Sequence, residues 1–103
     1  MEGNVKVENC HVKYAEVSCT VANSEANGDK AGALIGNGTS EPKLMGCTAT
    51  DSSVSAGRDA GQVVGAAKTK NVTDCSATNV SVTDNKTGTG ANIREEVIGR
   101  VLN

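Results

Sequence analysis

Intervals of 28 residues separate Cys19 from Cys47 and Cys47 from Cys75, and the residues after the second and third cysteines repeat with them. Cys47-Thr48-Ala49-Thr50-Asp51 matches Cys75-Ser76-Ala77-Thr78-Asn79, and Ser53-Val54-Ser55 then falls opposite Ser81-Val82-Thr83. A second block recurs at an offset of 29, with Ala31-Gly32-Ala33-Leu34-Ile35-Gly36 against Ala60-Gly61-Gln62-Val63-Val64-Gly65; a degraded third copy is Glu96-Val97-Ile98-Gly99. An apolar residue stands three positions before Cys10, Cys47 and Cys75, as Val7, Leu44 and Val72. Self-similarity at this period belongs to chains that stack one supersecondary unit on the next, because one unit alone cannot bury its apolar face.

Each copy holds short apolar pieces separated by Gly, Asn, Asp, Ser and Lys, which read as strands and turns. None is long enough for an amphipathic helix, and no i, i+3, i+4, i+7 pattern runs through a copy. Asn92 to Arg100 has room for one helical turn, in competition with a strand at Val97-Ile98. Val5-Lys6-Val7, Val12 and Val17-Ser18-Cys19-Thr20-Val21 predict half-buried strands at the amino end. Only nine residues separate Cys10 from Cys19, so the first copy is expected to be irregular, as terminal repeats commonly are. The organisation expected is one repeat domain over 1–103, with an irregular first coil at 1–30, repeats at about 31–59 and 60–83, and an insertion with a terminal strand at 84–103.

Composition narrows the function classes. Val, Leu and Ile number 13, 3 and 3 of 103 residues, Phe and Trp are absent, and Tyr14 is the sole aromatic; small β-branched residues filling thin layers suit such a chain. Ten basic against twelve acidic residues leave a net charge of −2, without the clustered cations or stacking aromatics of nucleic-acid binders. No apolar run approaches the roughly 20 residues of a membrane span, and no basic-then-apolar leader opens the sequence. The four cysteines form no C-x-x-C pair, which argues against a zinc or thioredoxin-like site.

Gly61-Gln62-Val63-Val64-Gly65, Asn71-Val72-Thr73-Asp74-Cys75, Asn79-Val80-Ser81-Val82-Thr83 and Val7-Glu8-Asn9-Cys10 together resemble the glycine-rich GLUG motifs of bacterial surface and secreted proteins. The resemblance covers most of residues 5 to 101. It departs from the motif at Gly46, where Asn or Asp is usual before the cysteine, and in insertions around Cys10 to Cys19 and Asp84 to Glu95. It implies a right-handed parallel β-helix in an adhesin-like or protease-associated protein, and a non-catalytic stalk, adhesion or binding module. No functional residue carries over.

Residues able to carry chemistry read mostly as structure. Cys19, Cys47 and Cys75 are expected to stack in one column of small buried side chains, with Cys10 the best partner for Cys19 should a disulfide form. Gly32, Gly36, Gly61 and Gly65 match no phosphate-binding motif and point to turns or close approaches of the backbone. His11 has no catalytic companions. Asp29, Asp51, Asp59, Asp74 and Asp84 fit no calcium motif and read as turn residues. Four sequons, at Asn37, Asn71, Asn79 and Asn85, follow from an Asn- and Thr-rich composition. Thr48, Thr50, Ser76 and Thr78 could line one flat face, of the kind that binds ice or crystalline polysaccharide in some solenoids.

The fold expected is all-β: a short right-handed parallel β-helix of roughly three coils with irregular caps near Cys10 to Tyr14 and Asp84 to Glu95. Its expected core is Val54, Val63, Val72, Val82, Leu34, Leu44, Ile98 and the cysteines. No catalytic, cofactor-binding or metal-binding residues and no cofactor are expected. The expected role is a non-enzymatic extracellular or cell-surface module for adhesion, spacing or carbohydrate or protein binding, with a surface glycan or protein as partner, no nucleic acid and no membrane insertion. Uncapped coil ends would associate into homo-oligomers. The alternatives are a fragment of a β-helical polysaccharide-degrading enzyme, marked by three or more acids on one face, and a structural domain of a phage or cell-envelope assembly.

Overall fold

The computed structural model describes residues 6–19, 30–38, 42–86 and 90–102. The chain is all-β; the described residues contain, besides strands, a single 3₁₀ turn at Thr69–Asn71. In chain order the strands are β1 Lys6–Glu8, β2 His11–Lys13, β3 Glu16–Ser18, β4 Lys30–Ala31, β5 Ile35–Asn37, β6 Lys43–Met45, β7 Thr48–Ala56, β8 Asp59–Ala60, β9 Val64–Ala67, β10 Val72–Thr73, β11 Ser76–Asp84, β12 Asn92–Ile93 and β13 Ile98–Val101. The Asn92 to Arg100 stretch is therefore strand at both ends. Val5, Thr20, Val21 and Asp29 lie outside the described residues.

These strands form four parallel sheets, and the chain visits the four in the same order three times. The sheets are β1-β6-β10, β2/β3-β7-β11, β4-β8-β12 and β5-β9-β13. The second pass supplies the middle strand of each, with both of its edges hydrogen-bonded. Register between the second and third passes is 28 residues through the first two sheets, pairing Leu44 with Val72 and Val54 with Val82. It widens to 33 at Asp59 with Asn92, so extra residues enter between β11 and β12.

The first pass departs from expectation. Val7 pairs with Leu44, His11 with Thr48 and Val17 with Val54, all at an offset of 37, whereas Ala31 pairs with Ala60 at 29. The extra residues thus fall between Ser18 and Lys30, not between Cys10 and Cys19. That nine-residue stretch is regular, for it runs alongside Cys47 to Ala56, and Cys10 to Tyr14 is sheet rather than cap. The cysteine column is consequently Cys10, Cys47 and Cys75; the Cys19 amide donates to the Ser55 carbonyl at 3.1 Å, one corner away. The 28-residue interval from Cys19 to Cys47 is a coincidence of the insertion.

Burial follows the stacking. Leu44, Cys47, Ala49, Val54, Ala60, Val63 and Val64 of the second pass are buried, while Val7 and Val17 of the first pass and Val72, Val82 and Ile98 of the third pack half-buried against them, as does Leu34. Valine and alanine suffice because each inward row is three side chains long and closes at about the 4.8 Å strand spacing. No disulfide joins the four cysteines. Gly32, Gly61, Gly65 and Gly99 mark places where successive passes touch: a β-carbon on Gly32 would meet the Val63 carbonyl oxygen at 2.6 Å.

Candidate functional site

Two backbone corners organise the longest sheet. Asn9, Gly46 and Asp74, each directly before a column cysteine, have φ of 52°, 66° and 52°. Asn, Asp and Gly are the residues that tolerate this left-handed conformation, so Gly46 makes the same turn as Asn9 and Asp74 in the other passes. Beyond it, the thiols of Cys10 and Cys75 donate to the carbonyl oxygen two residues back, at 3.6 and 3.5 Å, and the Cys47 thiol has the Val7 carbonyl at 3.4 Å and the Met45 carbonyl at 3.6 Å as acceptors. Burial pushes the Cys75 thiol up from its ordinary pKa, and the adjoining Cys47 thiol adds to the rise against a lowering backbone hydrogen bond.

The second corner is Tyr14, Asp51 and Asn79, with φ of 59°, 49° and 55°. It shifts the alternation by one residue: Ala49 faces inward before it, and Ser52, Val54 and Ala56 face inward after it. The corner is pinned. The Ser52 hydroxyl donates to the Thr50 carbonyl at 2.8 Å and accepts from the Ala15 amide at 3.0 Å, and the Asn79 amide donates to Asp51 Oδ1 at 2.8 Å.

Outward positions on either side carry hydroxyls in rows. Thr48 pairs with Ser76, Thr50 with Thr78, Ser53 with Ser81 and Ser55 with Thr83. Thr48, Thr50, Ser76 and Thr78 therefore do share a face, and the corner continues it onto a second one. In the first pass the rows begin with His11, Lys13, Glu16 and Ser18. His11 is exposed, its Nδ1 2.6 Å from the Thr48 hydroxyl.

An open cleft of about 440 Å³ lies at the second corner, lined by Tyr14, Glu16, Asp51, Ser53, Asn79 and Ser81. Tyr14 is 73% exposed, and the Lys13 ammonium stands 4.8 Å from its ring centroid. A smaller cleft of about 210 Å³ on the first sheet is lined by Lys6, Lys43, Lys70, Glu8, Met45 and Asn71, among others.

The described acids disperse. Asp51 sits at the corner and Asp74 precedes Cys75, while Asp84, at the end of β11, lies 3.9 Å from the Lys86 ammonium. Asp59 is fully buried. It is no simple turn residue: Oδ1 accepts from the Asn92 amide at 2.9 Å, and Oδ2 lies 3.8 Å from the Arg100 guanidinium. It thus ties β8 to β12 and β13. Only Glu16 and Asp51 bring two carboxylates to the larger cleft.

Tyr14, the lone aromatic, is expected from the sequence at the end of a cap over Cys10 to Tyr14; it stands instead at a corner of the longest sheet. Its signal, equivalence to Asp51 and Asn79, becomes visible only with the 37-residue register. No protein-family model, curated protein or solved structure matches the chain. Among the described residues no group of three or more His, Cys, Asp or Glu side chains could hold a metal ion, and no helix is long and apolar enough to cross a membrane.

Proposed function

We propose that the chain is a short right-handed parallel β-helix of three coils, built from GLUG-like repeats, that acts as a non-enzymatic extracellular or cell-surface module and holds a glycan surface. The repeated visit to four parallel sheets supports the coil reading, and the right-handed sense follows the strong general preference of parallel crossovers. The observation that carries the function is the in-register set of outward hydroxyls: Thr48/Ser76, Thr50/Thr78, Ser53/Ser81 and Ser55/Thr83. Strand spacing near 4.8 Å and two-residue steps near 6.6 Å set these hydroxyls on a lattice. Such a lattice can exchange hydrogen bonds with an ordered polysaccharide through short hydroxyl side chains that lose little freedom on binding. The half-buried apolar side chains of the first and third passes support a partner at the coil ends, whether further coils or a second copy.

Co-sedimentation with insoluble cellulose, chitin and peptidoglycan tests the module. The wild-type protein should pellet with at least one matrix, and the double substitution Ser76→Arg and Thr78→Arg, on exposed outward positions, should leave it in the supernatant with an unchanged circular-dichroism spectrum. Wild-type protein that stays in solution with all three matrices would overturn the glycan-surface reading.

A further inference from the structure

The corner cleft holds one residue that local conformation alone would not select. Positive φ is inexpensive for Asp51 and Asn79 and sterically unfavourable for a bulky side chain such as Tyr14. Nor does burial compensate, since Tyr14 is 73% exposed. A residue that breaks a local rule with no burial in return marks a position held for another purpose.

The cleft chemistry indicates that purpose. It combines one exposed aromatic ring with the carboxylates of Glu16 and Asp51, the amide of Asn79 and the hydroxyls of Ser53 and Ser81. Its volume, about 440 Å³, lies in the range of small-molecule sites. The electron-rich ring face suits the axial C–H edge of a pyranose, and acceptor-rich walls suit its hydroxyl donors. Two carboxylates disfavour an acidic ligand, and the nearby cation, Lys13, is already placed over the ring. The Ser52 and Asn79 hydrogen bonds pin the corner, so the walls are set before a ligand arrives.

We infer that the Tyr14 corner is a binding subsite for a neutral pyranose oligosaccharide, with Tyr14 stacking on a sugar ring and Glu16 and Asp51 accepting its hydroxyls. The inference rests on the glycan reading above and deepens it to a named subsite. Because Tyr14 is the only aromatic residue, tyrosine fluorescence reports on this cleft alone.

The test titrates the full chain with cellohexaose, chitohexaose, xylohexaose and mannohexaose, with hexagalacturonate as the acidic control. At least one neutral oligomer should change the tyrosine emission saturably, and the acidic one should not. By calorimetry, Tyr14→Phe should bind within about threefold of wild type, and Tyr14→Asn should lose at least tenfold. Tyr14→Asn should also melt no lower than wild type, because Asn suits the left-handed corner; a merely structural Tyr14 would lower the melting temperature instead. Silence of the wild type to all four neutral oligomers, or wild-type affinity in Tyr14→Asn, would overturn the subsite. The two readings fail separately: matrix pelleting with silent titrations removes the subsite alone, and saturable titrations without pelleting remove the hydroxyl face alone.

Discussion

At the scale of single residues, backbone sign and side-chain identity agree at five of the six corner positions and disagree at Tyr14. Asn9, Gly46, Asp74, Asp51 and Asn79 are all of the types that enter the left-handed region readily. Asp74→Val should therefore destabilise the fold by roughly 1–2 kcal/mol, whereas Asp74→Asn should stay within about 0.5 kcal/mol; urea midpoints distinguish the two. The thiols give a second reading of the same corner. Iodoacetamide on the native protein, followed by mass spectrometry, should modify exposed Cys10 before Cys75 and buried Cys47 last. The Cys75 thiol has its pKa raised by burial and by Cys47, so the folded state holds that proton more tightly than the unfolded chain. Its contribution is complete below the ordinary thiol pKa and fades as the pH rises through the folded-state value. Stability measured across this alkaline window should fall less in Cys75→Ala than in wild type.

At the scale of elements, the sheets are joined by contacts too close for a side chain. A β-carbon at Gly65 would meet the Gly36 carbonyl oxygen and, at 2.9 Å, the Ala31 amide nitrogen. These are backbone atoms of the neighbouring pass and cannot rotate away. Gly65→Ala should destabilise by about 1–3 kcal/mol, visible as a fall in melting temperature of about 4–8 °C for each kcal/mol. Opposite in character is Asp59, a buried carboxylate of β8 that reaches Asn92 of β12 and Arg100 of β13. Asp59→Ala would leave the Asn92 amide without its acceptor, and a loss of about 1–3 kcal/mol is expected, checked by chemical denaturation.

For the whole molecule, stability is graded along the stack. The second pass is covered on both edges; the first and third are each covered on one. Amide hydrogen exchange should accordingly be slowest in β6, β7 and β9 and faster in β1, β2 and β13, whose outer edges have no strand among the described residues. In step with this, Leu44→Ala should cost about 2–5 kcal/mol, as for a fully buried site, and Val7→Ala, one pass outward in the same row, distinctly less. Equal exchange rates in all three passes would contradict the gradient.

Much of this is written locally. Short alternating valine pieces and turn residues made an all-β chain legible, and the apolar residue three before each column cysteine marked the Val7, Leu44 and Val72 row correctly. The glycine blocks also fell in their true register. Tertiary structure alone decided the pairing of the first pass with the second. Residues inserted in a turn have no strand periodicity to betray them, and cysteine spacing across them offered a false match. Hydrogen bonding between β2 and β7 shows which residues stand side by side, and that choice moves Cys19 out of the column and Tyr14 into the corner. Interval and pattern therefore identify the strands in this protein, but packing across the insertion determines which of them meet, because one register stacks half-buried Val7, Val12 and Val17 over buried Leu44, Ala49 and Val54 together.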